Sequence, residues 1–363
     1  MRVLCLSAYD AGSHRRWHEG LAARLGADTF TTLSLPPRYF RWRIRGNSLY
    51  WAHEWRELLE QSWDVVLATS MVDLSALRGF VPSLADALNV VYFHENQFAY
   101  PTSSGQHEDI TPAVVNLYSA LCADRVAFNS RYNLESFLAG TRDFASRMPD
   151  YVPEGLADAV EGRSRVLPVP LAPACFAEHD APSPSRPLSI VWNHRWEYDK
   201  APSRFFDALD RLHQRGLDFE LHVLGERFRS YPKVFDRAHE ALADHIATWG
   251  YVESADDYRA ILRRADLVVS TSLHEFQGLA MLEAIAAGCR PLAPDRLAYR
   301  EYVPEAWRYE SFVDDADREV AVLAGRLAEF AEDPQRVRDS DAIDVSRYSW
   351  DALSDAYQEL LEA

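Results

Sequence analysis

Two doubly wound α/β domains are predicted by three observations. Short apolar runs alternate with helical stretches along the chain, a proline cluster interrupts the alternation midway, and 363 residues is long for one core. Pro168, Pro170, Pro173, Pro182, Pro184 and Pro187 have the composition of a stiff connector. The expected division is a domain over residues 1–175, a linker over 176–187, a second domain over 188–348 and a closing helix over 349–363.

In the first half, strands are expected over 3–7, 64–69, 90–94, 125–129 and 166–169. Their brevity, β-branched content and lack of clean alternation mark them as buried parallel strands. Helices are expected over 15–25, 51–61, 111–120 and 132–138, with 139–162 an irregular excursion holding a short helix. Periodicity resumes with strands over 188–193, 219–224, 246–251 and 266–271, separated by helices over 203–214, 233–243 and 255–263. A further helix runs from about Leu279 to Gly288, and the last covers 350–361. In such sheets ligands bind outside the carboxyl ends of the strands.

Composition narrows the function. Hydrophobic content of 48% is ordinary for a folded protein, and no run approaches the ~18 apolar residues of a membrane span. The opening MRVLCLSAYDAGSH is too short an apolar stretch for a secretory signal. Cys5, Cys122, Cys175 and Cys289 lack metal-like spacing and fit reduced core thiols, so a cytoplasmic location is expected. A net charge of −17 argues against a general nucleic-acid binder. Yet residues 1–45 hold eight Arg and three acids, a local +5. Arg38, Arg41, Arg43 and Arg45 share one window with Tyr39, Phe40 and Trp42, a mixture that can contact phosphates and stack on bases. The competing reading is an Arg-rich strand or loop paired to surface acids.

The most informative stretch is HEFQGLAMLEAIAAGCRP, where Glu275 and Glu283 lie eight residues apart around a helix mouth. Gly278 lets a ligand approach the backbone there, and the free amides near Gln277, Gly278 and Leu279 favour negative charge. Two carboxylates for hydroxyls and a row of amides for a diphosphate suit a sugar nucleotide. A helix-capping Glu followed by an unrelated helical Glu is the alternative.

A second constellation, WNHRWEYDK, follows the first strand of the second domain and puts Arg195 and Lys200 where a leaving diphosphate needs positive charge. Ion pairs of these two with Glu197 and Asp199 are the competing reading. In YFHENQFAYP, His94 ends a strand and could bond a sugar hydroxyl or accept a proton, with Glu95 and Asn96 following in a polar loop. Gly12 and Ser13 precede a helix whose mouth could bind an anion. Glu226, Tyr251 and Val252 stand at strand ends of the second domain, where a nucleotide base could rest. Asp315 with Asp317, and Asp339 with Asp341, fall in acidic helix-like segments and read as solvated, so no metal is expected.

The Glu-x7-Glu spacing resembles the signature of family-4 retaining glycosyltransferases. Together, YFHENQ, FNSRYNLESFL, WNHRWEYDK, HVLGERF, WGYVES and HEFQGLAMLEA closely resemble the tRNA-queuosine α-mannosyltransferase family through nearly the whole chain. That resemblance implies the GT-B fold: two Rossmann-like domains facing a central cleft, the last helix returning toward the first domain. It implies mannose transfer from GDP-mannose to the cyclopentenediol of queuosine at the wobble position of an aspartate tRNA, with retention and without metal. It further implies Arg195 and Lys200 on the diphosphate, Glu283 on the ribose, and Glu275 and His94 on the sugar. The Arg38, Arg41, Arg43 and Arg45 segment, with Glu95 and Asn96, would then meet the acceptor.

Two rival functions remain at this stage. One is a family-4 enzyme with another nucleotide sugar or a smaller acceptor. The other is a binding protein that kept the fold and lost catalysis, against which the presence of Glu275, Glu283, Arg195 and Lys200 counts. A Rossmann-type dehydrogenase lacks its Gly-x-Gly-x-x-Gly.

Overall fold

The computed structural model describes residues 1–26, 29–100, 109–176, 185–227 and 231–362. Two compact units divide the chain: Met1–Pro170 with Asp351–Ala363, and Leu171–Trp350. Pro182, Pro184 and most of the linker expected over 176–187 lie outside the described residues, as does Phe228 of HVLGERF.

The first unit holds one parallel sheet of order β2-β1-β3-β4-β5-β6. Its strands are β1 Val3–Ser7, β2 Phe30–Ser34, β3 Val65–Thr69, β4 Leu88–Phe93, β5 Arg125–Phe128 and β6 Ser164–Val166. β1 and β3 are buried along their whole length, as strands covered on both faces must be. β2 was not foreseen, because FTTLS is an edge strand with only two buried positions and no apolar run. Strand order reverses between β1 and β3, which places a ligand crevice at their carboxyl ends.

Three helices depart from expectation. Gly12–Leu25 begins three residues earlier than the predicted 15–25, so Gly12 and Ser13 are its first two residues. Past Arg38, which stays in the preceding loop, the arginine window is not strand or loop but opens the Phe40–Glu54 helix, which buries Ile44, Trp51 and Ala52. The helix predicted over 51–61 is instead the end of this one plus a four-residue turn, Arg56–Leu59. Arg131–Arg147 continues well past residue 138. Gly140 does not stop it, because the glycine is a packing notch: a Cβ there would stand 2.3 Å from Phe98 Cβ.

The last helix, Trp350–Leu361, contributes to the first unit through Tyr357. Trp17 Nε1 donates to Tyr357 Oη at 2.9 Å, and that oxygen lies 3.0 Å from Tyr92 Oη. Arg125 donates to the carbonyls of Glu359 and Leu360, both at 2.9 Å, satisfying acceptors that a helix end leaves open.

The second unit's parallel sheet has the order β12-β11-β10-β7-β8-β9. Its strands are β7 Leu188–Trp192, β8 Phe219–Leu224, β9 Ile246–Gly250, β10 Leu267–Val269, β11 Arg290–Pro294 and β12 Arg308–Tyr309. β11 was missed because Pro291 and Pro294 argue against a strand inside a sheet. Order reverses between β7 and β10, so the loops after these two strands are neighbours at the crevice. The Ala316–Glu332 helix packs on Pro202–Gln214, and Asp315 caps it by accepting from Arg318 N at 3.1 Å. Among the described residues no helix is long and apolar enough to cross a membrane.

Candidate active site

At the β7/β10 reversal the two strongest sequence motifs meet. Lys200 is buried, and its Nζ donates to His274 O at 2.8 Å. The same ammonium pairs with Glu275 at 3.2 Å and with Asp199 at 3.1 Å. Thr271 Oγ1 donates to Lys200 O, and Leu273 N donates to Asp199 O, each at 2.8 Å, so one side-chain and one backbone hydrogen bond stitch the two loops together.

This corrects one expectation. Lys200 does not project outward toward a ligand; its ammonium donates to Glu275 and the His274 carbonyl and lies in ion-pair contact with Asp199. Arg195 pairs with Glu197 at 3.0 Å while its side chain stays about half exposed. The ion-pair reading of both residues is therefore present in the structure, with Glu275 added to it.

Electrostatics follow from this packing. Burial alone would raise the Glu275 carboxyl, but the Lys200 charge and hydrogen bond outweigh it and hold the group at about 2. Lys200 is pushed upward by Glu275 and Asp199 against the opposing effect of its burial. His194 and His274 are both lowered to about 4, first by burial and then by the Lys200 charge, and so are neutral at pH 7. The site thus carries an ionised carboxylate able to act as a hydrogen-bond acceptor, held beside neutral imidazoles.

These groups give a pH prediction. Unfolded imidazoles titrate near 6.5 and the folded pair near 4, so on acidification the unfolded chain binds protons first. Stability contributed here is full above about pH 6.5 and falls toward pH 4, with a slope approaching roughly 2.7 kcal/mol per pH unit for two protons. Glu275 extends the loss from about 4.5 down toward 2. Urea midpoints at pH 7, 5.5 and 4.5 should fall in that order, and less steeply in His194→Gln. Equal midpoints would contradict the assignment.

The helix mouth lies next to this pair. Gly278 caps Leu279–Ala286 in the left-handed region at φ 83°. A Cβ there would stand 2.3 Å from the buried Tyr302 hydroxyl, so both conformation and space require glycine. Gln277 is buried beside it. One turn on, Glu283 accepts from Tyr258 Oη at 3.1 Å, and Tyr258 Oη in turn accepts from Asn193 Nδ2 at 2.9 Å. Asn193 also donates to Ala280 O at 2.8 Å, tying the end of β7 to that helix. Neither Asn193 nor Tyr258 was anticipated. Asn193 stood inside a quoted motif, whereas Tyr258 shares the apolar face of its helix with Ile261 and Leu262 and so reads as core.

Glu226 and Tyr251 are exposed just beyond β8 and β9, and Val252 packs partly against the core. Gly225, also unanticipated, fixes the loop that carries Arg195. Its φ is 123°, and a Cβ would stand 2.0 Å from His194 O, while Trp196 N donates to Glu226 O at 3.0 Å. Backbone against backbone leaves no side chain to yield. Gly225→Ala should therefore displace the 193–200 loop, lower stability by about 1–3 kcal/mol and weaken nucleotide binding at least tenfold. Calorimetric titration and urea unfolding check this; wild-type values in both would refute it.

In the first unit His94 follows β4 and is buried in an aromatic box. His14 stacks on it at 4.0 Å between ring centroids, and Trp17 and Tyr92 each lie at 4.7 Å. Burial first, and then His14 and His18, hold its imidazole well below the usual range. His94 Nε2 is buried without a hydrogen-bond partner, leaving one ring nitrogen at the end of β4 unsatisfied within the fold. Asp10, also missed by sequence, gathers Ser7 Oγ at 3.0 Å, Arg15 Nε at 3.1 Å and His18 Nε2 at 3.0 Å beside this box.

Asn96 needs a correction. It was expected to face an acceptor, yet it is fully buried and every polar atom is used inside the fold. Its Nδ2 donates to Asn133 and Ser136, and its Oδ1 accepts from the amides of Phe98 and Ala99. Glu95 is partly exposed next to it, and Gly12 and Ser13 open a helix at the end of β1. Of the four arginines, Arg38, Arg41 and Arg45 are exposed and Arg43 is half-buried; Arg45 pairs with Asp73 at 2.8 Å. Among the described residues no group of three or more His, Cys, Asp or Glu is placed to hold a metal ion.

Solved structures share this architecture. A sucrose-phosphate synthase from Thermosynechococcus elongatus superposes with a TM-score of 0.68 at 15% identity, covering 99% of this chain and 98% of that one. HepE from Anabaena, solved with UDP and glucose, gives 0.67 at 15% identity over 99% of both chains. Residues 188–333 match the family description "Glycosyl transferases group 1". The chain is a glycosyltransferase of the GT-B fold.

Residues 2–171 match "tRNA-queuosine alpha-mannosyltransferase N-terminal". The tRNA-queuosine alpha-mannosyltransferase of Drosophila melanogaster is 33% identical over 319 residues, 85% of this chain and 83% of its own. The chain belongs to the tRNA-queuosine alpha-mannosyltransferase family.

Proposed function

We propose that the protein transfers mannose from GDP-mannose to the cyclopentenediol of queuosine at the wobble position of an aspartate tRNA, with retention at the anomeric carbon. Family membership supports the acceptor, and the contact between Lys200 and Glu275 carries the catalytic reading. That contact fixes an ionised carboxylate beside a helix mouth at the strand-order reversal, where a nucleotide sugar is expected to bind.

In this reading Glu275 accepts hydrogen bonds from the sugar hydroxyls, and Glu283, held by Tyr258, takes the ribose. Arg195 exchanges Glu197 for the diphosphate, aided by the amides after Gln277 and, at longer range, by the Lys200 charge. Glu226, Tyr251 and Val252 lie along the base. The acceptor hydroxyl attacks from the face that the diphosphate leaves. As the new bond to the anomeric carbon forms and the bond to phosphate breaks, the hydroxyl proton passes to the departing phosphate oxygen. Positioning and charge stabilisation supply the rate. The cations come from the chain, so no added metal is needed, and the tRNA substrate places the reaction in the cytoplasm.

Purified protein incubated with queuosine-containing tRNA and a panel of nucleotide sugars tests this. One hexose should be added from GDP-mannose, in EDTA as well as without it, and affinity for tRNA should fall steeply with salt. Transfer only from a uridine donor, or only to a small acceptor with no salt dependence, would reject the donor or the acceptor respectively.

A further inference from the structure

The Phe40–Glu54 helix begins at the carboxyl edge of the first unit's sheet, the same edge that carries His94 after β4. It is anchored on its inner side. The Phe40 ring meets Tyr9 edge-on at 6.2 Å, and Asn47 donates to Met71 O at 3.1 Å while accepting from Asp73 N at 3.2 Å. Its outer side is unusual. Tyr39 is 72% exposed and Trp42 is 63% exposed, next to the exposed guanidiniums of Arg38, Arg41 and Arg45.

Gly46 explains how Trp42 is held. A Cβ at position 46 would stand 2.5 Å from Trp42 Cε2 and 2.7 Å from Cζ2, so the indole lies over the bare glycine backbone one turn further on. The ring's other face is therefore the one turned outward. Tyr39, in the left-handed region at φ 56°, turns its ring out beside the helix start, with the Arg38 guanidinium 5.6 Å from the ring centroid. Large apolar rings left in water, framed by cations in an otherwise acidic protein, match a ligand with a π-face and negative charge. Single-stranded nucleic acid combines the two.

We propose that Trp42, seated on Gly46, is a stacking platform for an unpaired base of the RNA acceptor, with Tyr39 beside it and Arg38 and Arg41 on the flanking phosphates. This rests on the tRNA reading above and adds the residues that grip the loop. Binding energy from the platform is realised with RNA alone, so it does not touch the nucleotide-sugar affinity.

The test compares Trp42→Ala, Gly46→Ala and Arg41→Ala in full-length protein, titrated with queuosine-containing tRNA at several salt concentrations. Trp42→Ala should raise Kd about tenfold or more, with the salt slope unchanged. Arg41→Ala should reduce the salt slope by about one. Gly46→Ala is the sharper variant, because alanine favours the helix yet its Cβ evicts the indole: Tm should hold or rise while RNA affinity falls. GDP-mannose affinity should stay at the wild-type value in all three.

Wild-type RNA affinity in both Trp42→Ala and Gly46→Ala overturns the platform, even if tRNA is mannosylated. So does a change in sedimentation without a change in RNA affinity, which would make the face a contact between copies. Trp42-dependent binding of an RNA that the enzyme never glycosylates would instead keep the platform and reject the acceptor.

Discussion

Lys200→Met is expected to lower the stability of the second unit by about 3–5 kcal/mol and turnover by roughly 10²–10³. The ammonium is buried and holds the Glu275 and Asp199 carboxylates together, so its loss leaves two poorly solvated acids facing each other. Burial, no longer opposed by the lysine, then pushes the Glu275 carboxyl upward. The sign of its pH linkage reverses with it. In the wild type Glu275 contributes stability above about pH 4.5 that is lost toward 2. With its folded value raised above the unfolded one, the variant carboxyl contributes stability at low pH that is lost as pH rises. His194 and His274, released from the lysine charge, also protonate more readily, so acid costs the variant less. Urea midpoints at pH 7 and 5, with transfer rates, check this. A variant that keeps the wild-type midpoint and rate at pH 7 would show that the pair is idle.

Glu319→Gln is the second large effect, although residue 319 touches no expected ligand group. Glu319 is fully buried and accepts from Arg296 Nη1 at 2.6 Å and Nη2 at 3.0 Å. It also accepts from Arg204 at 2.8 Å and from Phe312 N at 2.7 Å. Arg296 in turn donates to Ser272 O at 2.9 Å and Thr271 O at 3.1 Å, in the segment that leads to Glu275. Neutralising the carboxylate strands two nearly buried guanidiniums and loosens that segment. The expected cost is about 3–5 kcal/mol, together with a raised KM for the nucleotide sugar. Replacing the trio together, as Glu319→Leu with Arg204→Met and Arg296→Met, should restore much of the stability while the KM stays high. Recovery of KM as well would mean that the network supports folding alone.

What the sequence made legible was local. The Glu275 and Glu283 spacing, the strand before each motif and the βα alternation are patterns within a few turns of chain, and the structure has Glu275 in the loop after β10 and Glu283 in the helix that follows. Three kinds of feature were not local. Tyr258 reaches Glu283 from a helix 25 residues away, and Arg296 meets Glu319 across 23, so neither contact leaves a periodic trace. Gly140, Gly225 and Gly46 act through what would collide with a side chain, which only the packed fold reveals. Charge assignments suffered differently. Arg195 and Lys200 were read as cations free for a ligand, whereas burial makes Lys200 a partner of Glu275 first. Asn96 looked functional because it followed His94 in a polar loop; the loop's own amides consume it.

The most direct measurement is mass spectrometry of tRNA nucleosides from cells with and without this gene, the deletion complemented with wild-type or Lys200→Met protein. A hexose on queuosine should vanish on deletion, return with the wild type and stay absent with the variant. Unchanged queuosine species after deletion would contradict the proposed acceptor outright.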